Sequence, residues 1–177
     1  MLIGITMQIV RYQPHHAKAI SQVFHQAVQA IEHPRYSKAK LNAWSCSPRS
    51  AKYWHLRSKA YMNKSNHKPH KHCGITWVAQ THNQQVVGFI NMAVGFHQAG
   101  YINHLYVLPE YAGQGIASQL LYQAQQWAET IGYAKLSADA SYLSKALFEK
   151  HGFNSLHTSF QRKQNCTFNG FFVEKGL

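Results

Sequence analysis

The residues with the clearest chemical potential lie between positions 103 and 153. Val107-Leu108-Pro109-Glu110-Tyr111-Ala112-Gly113-Gln114-Gly115-Ile116-Ala117 joins a β-type run, Tyr101–Val107, directly to a helical pattern. Amides that open a helix lack intrahelical partners and sit at the positive end of its dipole, so this junction is a place for an anion. Gly113 and Gly115 allow the backbone to approach a ligand closely, and Ala117 keeps the first turn narrow. The dipole contributes about 0.3–1 kcal/mol per anionic group, so several amides, up to Ser118, must act together. No Gly-Lys-Ser/Thr follows, which excludes a P-loop. A dinucleotide fingerprint needs a third spaced glycine and an acid about 20 residues on, and fits poorly.

Groups able to move protons are few. The carboxylates are Glu32, Glu110, Glu129, Asp139, Glu149 and Glu174. Asn103 and His104 sit on the run leading into the loop, where alternation places Asn103 on one face and His104 on the other unless a bulge exchanges them. Further on, Ser141, Tyr142 and Ser144 precede Phe148 in a short helical stretch that stops at Gly152.

The elements that must hold these residues follow from periodicity. Met7–Tyr12 alternates and predicts a strand. Pro14 suits the first turn of a helix of about 17 residues carrying Ile20, Val23, Phe24, Ala27, Val28 and Ile31, with His33-Pro34 as its end. A second helical region spans Ser37–Asn63 with a break near Ser47-Pro48, and Asn63–Cys73 reads as a polar, basic loop. Gly74–Gln80, Val86–Val94 and Tyr101–Val107 are β-runs. Ile116, Leu120, Ala124, Trp127 and Ile131 mark a helix closed by Gly132. Ala134–Ala138, a helix over Leu143–His151, and strands near Phe153–Phe160 and Thr167–Val173 complete the order β-α-α-β-β-β-α-β-α-β-β. That is an α/β fold with a mixed sheet, and 177 residues without repeats suit a single domain, 1–177.

Composition narrows the setting. There is no apolar run of about 18 residues, so no membrane span is expected, and the start lacks the marks of a signal peptide. Three widely spaced cysteines, Cys46, Cys73 and Cys166, suit reduced thiols and a cytoplasmic location. A net charge of +12 draws anions. Basic residues spread from Arg11 to Lys175 without a nucleic-acid motif, so nucleic acid is not the expected partner. His67, His70, His72 and Cys73 are dense enough to raise a metal site, but their lysine-rich surroundings predict a solvated loop and no metal.

Two motifs now carry a resemblance. Val107–Ala117 resembles V-x-P-x-x-[QR]-x-x-G-x-[GA], the acetyl-CoA motif of the GNAT superfamily of N-acetyltransferases. Ser141-Tyr142-Leu143-Ser144-Lys145-Ala146-Leu147-Phe148-Glu149-Lys150-His151-Gly152-Phe153 resembles its N-x-x-A-x-x-[LF]-[YF]-E-K-x-G-F signature, in the right order and at about the right distance. The resemblance implies a mixed, mostly antiparallel sheet of about seven strands, splayed between the fourth and fifth and flanked by about four helices. It further implies attack of an amine on the thioester of acetyl-CoA, the cosubstrate. Leu105, Tyr106 and Val107 would pair with the pantetheine, an amide near Leu105 or Tyr106 would polarise the carbonyl, and Ala112, Gly113, Gln114, Gly115, Ile116, Ala117 and Ser118 would hold the pyrophosphate. Ser141, Ser144 and Phe148 would line the remainder. Two copies can also pair in this family, and Thr167–Val173 is the edge expected to serve.

Three positions depart from the pattern. Ala112 replaces a Gln or Arg, Ser141 an Asn, and Phe148 a Tyr that protonates the departing thiolate in many members. A thiol with a reference pKa near 8.5 needs little help, so Tyr142, Ser144 or water can deliver that proton. The incoming amine must lose one, and His104 is the expected base with Asn103 as its orienter. The acceptor wall is expected in Ile31–Tyr61, with Glu32, His33, Tyr36 and Trp44 as its contacts. Glu32 is the single acid before residue 110, so a small neutral or anionic amine is expected rather than a polycation. Other classes remain: a non-catalytic acyl-CoA sensor, consistent with the three departures, and a basic nucleic-acid binder.

Overall fold

The computed structural model describes residues 7–58, 73–94 and 99–177. Seven strands form one sheet in the order β1-β2-β3-β4-β5-β7-β6: β1 Met7–Arg11, β2 Cys73–Thr81, β3 Val86–Val94, β4 Tyr101–Val107, β5 Lys135–Ala140, β6 Asn154–Lys163 and β7 Cys166–Gly176. All pairings are antiparallel except β4 with β5. Among the described residues five α-helices accompany them, in keeping with the expected about four: α1 Ala17–Gln29, α2 Lys38–Ser45, α3 Ala51–Ser58, α4 Ile116–Thr130 and α5 Lys145–Lys150. The break near Ser47-Pro48 is what divides the second helical region into α2 and α3. The expected loop holding His67, His70 and His72 lies outside the described residues, as does the side chain of Cys73.

The sheet is covered on both faces, which is why β2 and β3 are buried along their length rather than in alternation. Phe89 of β3 meets Trp54 of α3 edge-on, with ring centroids 5.1 Å apart. Its neighbour Gly88 faces the other way, where a Cβ would stand 3.4 Å from Ile116 of α4. One apolar cluster runs through both layers, from Ile20, Phe24 and Trp54 to Leu120, Leu136 and Val173. α1 ends at Gln29, one turn before His33-Pro34. α4 stops as expected: Gly132 adopts φ +79° and donates to Glu129, while Tyr133 donates to the Ala128 carbonyl.

Two features shape the functional region. β4 and β5 pair only at Tyr101–Ser137 and Ile102–Ala138, after which β5 follows β7 and residues 103–107 have no neighbour on that side. On its other side β4 carries a bulge: Asn91 opposes His104 and Met92 opposes Ile102, leaving Asn103 unmatched and exposed. The edge expected at Thr167–Val173 is a correction. β7 is interior, inserted between β5 and β6 by the hairpin it forms with β6, so the free edges are β1 and β6.

Candidate active site

The separation of β4 from β5 opens a cavity of about 430 Å³, whose walls include Ile102–Val107 of β4, Ala112 and Ala117 of the loop, and Phe148 of α5. Ala27 and Ile31 close it from the α1 side, and Asp139, Ser141, Leu143, Ser144 and Leu147 from the β5–α5 side. At its mouth the loop turns through Gly113 (φ +76°) and Gly115 (φ +78°), left-handed conformations that L-residues disfavour. Among the described residues nothing accepts a hydrogen bond from the amides of Gly113 through Ser118, while Ala112 donates to the Pro109 carbonyl. Six consecutive amides from Gly113 to Ser118 are thus left to an anion at the start of α4. The Gln114 side chain turns back to the Glu110 carbonyl at 3.3 Å, and the Ser118 hydroxyl engages His151 at 2.8 Å.

A second, smaller cavity of about 50 Å³ shares Trp44, Asp139 and Ser141 with the first and continues between Tyr36 and the β6–β7 hairpin. Asp139 is the one carboxylate lining either cavity, and its Oδ2 accepts the Tyr101 hydroxyl at 2.7 Å. Burial and that carboxylate push the Tyr101 phenol far up, so it remains a donor. Trp44 is fixed by donating its Nε1–H to the Tyr106 hydroxyl at 3.1 Å.

The expected site residues fare differently. Tyr36 and Trp44 line the smaller cavity, but Glu32 and His33 line neither. Because α1 ends early, Ile31 fills the wall, Glu32 is exposed, and His33 Nδ1 accepts the Arg35 amide at 3.1 Å. Tyr142 is also outside both walls, held between the Arg35 guanidinium at 4.2 Å and the Phe171 ring at 5.1 Å. Ser141 and Ser144 do reach the larger cavity, their hydroxyls 3.1 Å apart. Phe148 is buried there against Phe153.

His104 lines the cavity among Phe24, Trp54, Phe89 and Tyr106. Burial first, and then the charges of Lys163, Arg57 and Arg49, lower its pKa to about 3. His104 is therefore an uncharged imidazole near pH 7. Its Nδ1 faces Asn91 Oδ1 at 3.5 Å, so Asn91, rather than the exposed Asn103, is its polar neighbour. Asn91 is itself fixed by donating to Thr76 Oγ1 and the Arg57 carbonyl.

The hairpin wall lies beyond the site residues expected from the sequence. Ser159, Gln161 and Lys163 of β6, with Phe168 and Asn169 of β7, complete the smaller cavity. β6 was expected to end at Phe160 and runs on to Lys163. The period-two spacing of Ser159, Gln161 and Lys163 is the signal that puts them on one face.

Diverging parallel strands with a glycine loop at their mouth define an acyltransferase of the GNAT class. The model of the Acetyltransferase (GNAT) family matches residues 33–153, and the chain belongs to that family of N-acetyltransferases. An Escherichia coli K12 protein described as the uncharacterized N-acetyltransferase YafP is 29% identical over 167 residues, 94% of each chain. A GCN5-related N-acetyltransferase from Rhodopseudomonas palustris superposes with a TM-score of 0.80 at 20% identity, over 100% of this chain and 99% of that one. The PaiA N-acetyltransferase from Thermoplasma acidophilum, solved in complex with coenzyme A, gives 0.72 at 16% identity over 98% and 100%. Among the described residues no three His, Cys, Asp or Glu side chains are grouped to hold a metal, and no helix is long and apolar enough to cross a membrane.

Proposed function

We propose that the protein moves the acetyl group of acetyl-CoA to the amine of a small, non-polycationic acceptor by direct attack. The observation that carries this reading is the meeting of the two cavities at Asp139, one leading to the free amides of the loop and the other to the aromatic wall. The coenzyme A complex of the Thermoplasma relative supports it by fold. The backbone of residues 103–107, unpaired on the β5 side, would hold the pantetheine as an added strand, and the loop amides would hold the pyrophosphate. An amide near Leu105 or Tyr106 would stabilise the negative charge that grows on the acetyl oxygen.

The acceptor enters from the smaller cavity. Asp139 receives a proton from its ammonium, the nitrogen forms its bond to the acetyl carbon, and the carbon–sulfur bond breaks. The thiolate takes the second proton of that nitrogen, relayed through water or the Ser141–Ser144 pair. Tyr101 positions Asp139 through its hydrogen bond. Placing base and reactants together supplies most of the acceleration.

The test is thiol release from acetyl-CoA in a screen of amines, with mass spectrometry of the product. Small primary amines are expected to be N-acetylated, and Asp139→Asn to lose that turnover while still binding acetyl-CoA. Robust acetylation of spermine or kanamycin would overturn the acceptor class.

A further inference from the structure

Lys163 ends β6 inside the smaller cavity, its nitrogen 5.1 Å from the Trp44 ring centre and 6.0 Å from that of Phe168. All six carboxylate side chains of the protein belong to described residues, and their two lysine ion pairs are Lys135–Glu174 and Lys145–Glu149. Lys163 therefore has no carboxylate within salt-bridge distance. Burial lowers its pKa to about 8, with the charge of Arg49 adding to the effect. An ammonium withdrawn from water without a counter-ion costs free energy. Here the cost falls on a group that faces a cavity, where a ligand can relieve it. The buried Tyr36 hydroxyl lines the same cavity, beside Ser141 and the Tyr142 backbone, and among the described residues none completes a hydrogen bond with it.

We infer that Lys163 binds a carboxylate on the acceptor, so that the substrate class is amino carboxylates: one end is the amine that meets Asp139, the other an acid that pairs with Lys163. The inference rests on the acetyltransferase reading above. Asp139 and Lys163 line one cavity with opposite charges, as a zwitterion requires. The Tyr36 hydroxyl donates a second hydrogen bond to the acid, and Trp44 and Phe168 flank the carbon skeleton. A polyamine would bring its second cation against Lys163 and Arg49, which excludes it by repulsion.

The experiment compares each of a panel of amino acids, β-alanine and γ-aminobutyrate with its own amide, following thiol release from acetyl-CoA. At least one carboxylate form is expected to show a kcat/KM about tenfold or more above its amide. Lys163→Met is expected to erase that preference mainly through acceptor KM, with Lys163→Arg restoring part of it. Acetyl-CoA affinity by calorimetry serves as the folding control for both variants. Equal use of acids and amides, or a preference that survives Lys163→Met, overturns the inference while the acetyltransferase reading stands. No thiol release with any amine, despite normal acetyl-CoA binding, defeats both.

Discussion

The Tyr101 hydroxyl donates to Asp139 Oδ2 at 2.7 Å, linking the first residue of β4 to the fifth residue of β5, just beyond the two positions where those strands still pair. The bond holds the carboxylate where the strands part and the two cavities meet. A charge-assisted hydrogen bond of this kind contributes about 1.5–3 kcal/mol.

Asp139→Asn is therefore expected to lower kcat about 100-fold or more, the scale of a lost general base. Tyr101→Phe is expected to cost roughly tenfold in kcat with acceptor KM little changed, since it displaces the carboxylate without removing it. Steady-state kinetics at saturating acetyl-CoA separate the two.

His104 gives a pH prediction. With a pKa near 3 its imidazole is neutral throughout the neutral range, so it imposes no ionisation there. The shape of the pH–rate profile between pH 5 and 9 is expected to be the same in His104→Gln as in the wild type. Loss of an acidic limb near pH 6 to 7 in the variant would assign His104 the role of base.

Lys163 gives a stability prediction. Its folded pKa, about 8, lies below the ordinary lysine value of 10.5, so the unfolded chain binds the extra proton and stability rises with pH between those two values. Below pH 8 the charged form is a standing cost, with Arg49, His104, Tyr36 and Asp139 as the titratable groups around it. Lys163→Met is expected to raise Tm by several degrees at pH 7, and by less at pH 10. Calorimetry at the two pH values measures both.

The glycine loop is tested by Gly115→Ala. A Cβ there meets no atom within 4 Å, so the penalty is the left-handed backbone alone, about 1 kcal/mol. Acetyl-CoA KM is expected to rise about fivefold with kcat nearly constant. Ala112→Arg, which adds a cation to the cavity wall, is expected to lower that KM.

What could be read from the chain was what local rules encode. Glycines before a 3.6-period helix locate the loop and α4, and alternating or continuous apolar runs locate the strands. Neither Asn103 at a bulge nor the early end of α1 is written locally: the bulge depends on the pairing partner Asn91, and Ile31 rather than Glu32 turns inward because the cavity wall takes an apolar residue. His104 stands in a suggestive place, yet its basicity is set by aromatic rings and cations brought from distant segments. Lys163 and Asp139 are 24 positions apart and meet only because β7 lies between β5 and β6. The donor half of the site is local in sequence; the acceptor half is tertiary.

The most direct measurement of the central claim is stoichiometric: free thiol released from acetyl-CoA against N-acetylated product formed, for the wild type and Asp139→Asn over the same panel of small amines. Equal amounts of thiol and acetylated amine in the wild type, and neither in the variant despite retained acetyl-CoA binding, are the predicted result. Tight acetyl-CoA binding by the wild type with no thiol released above spontaneous hydrolysis would contradict it and mark the protein as a sensor.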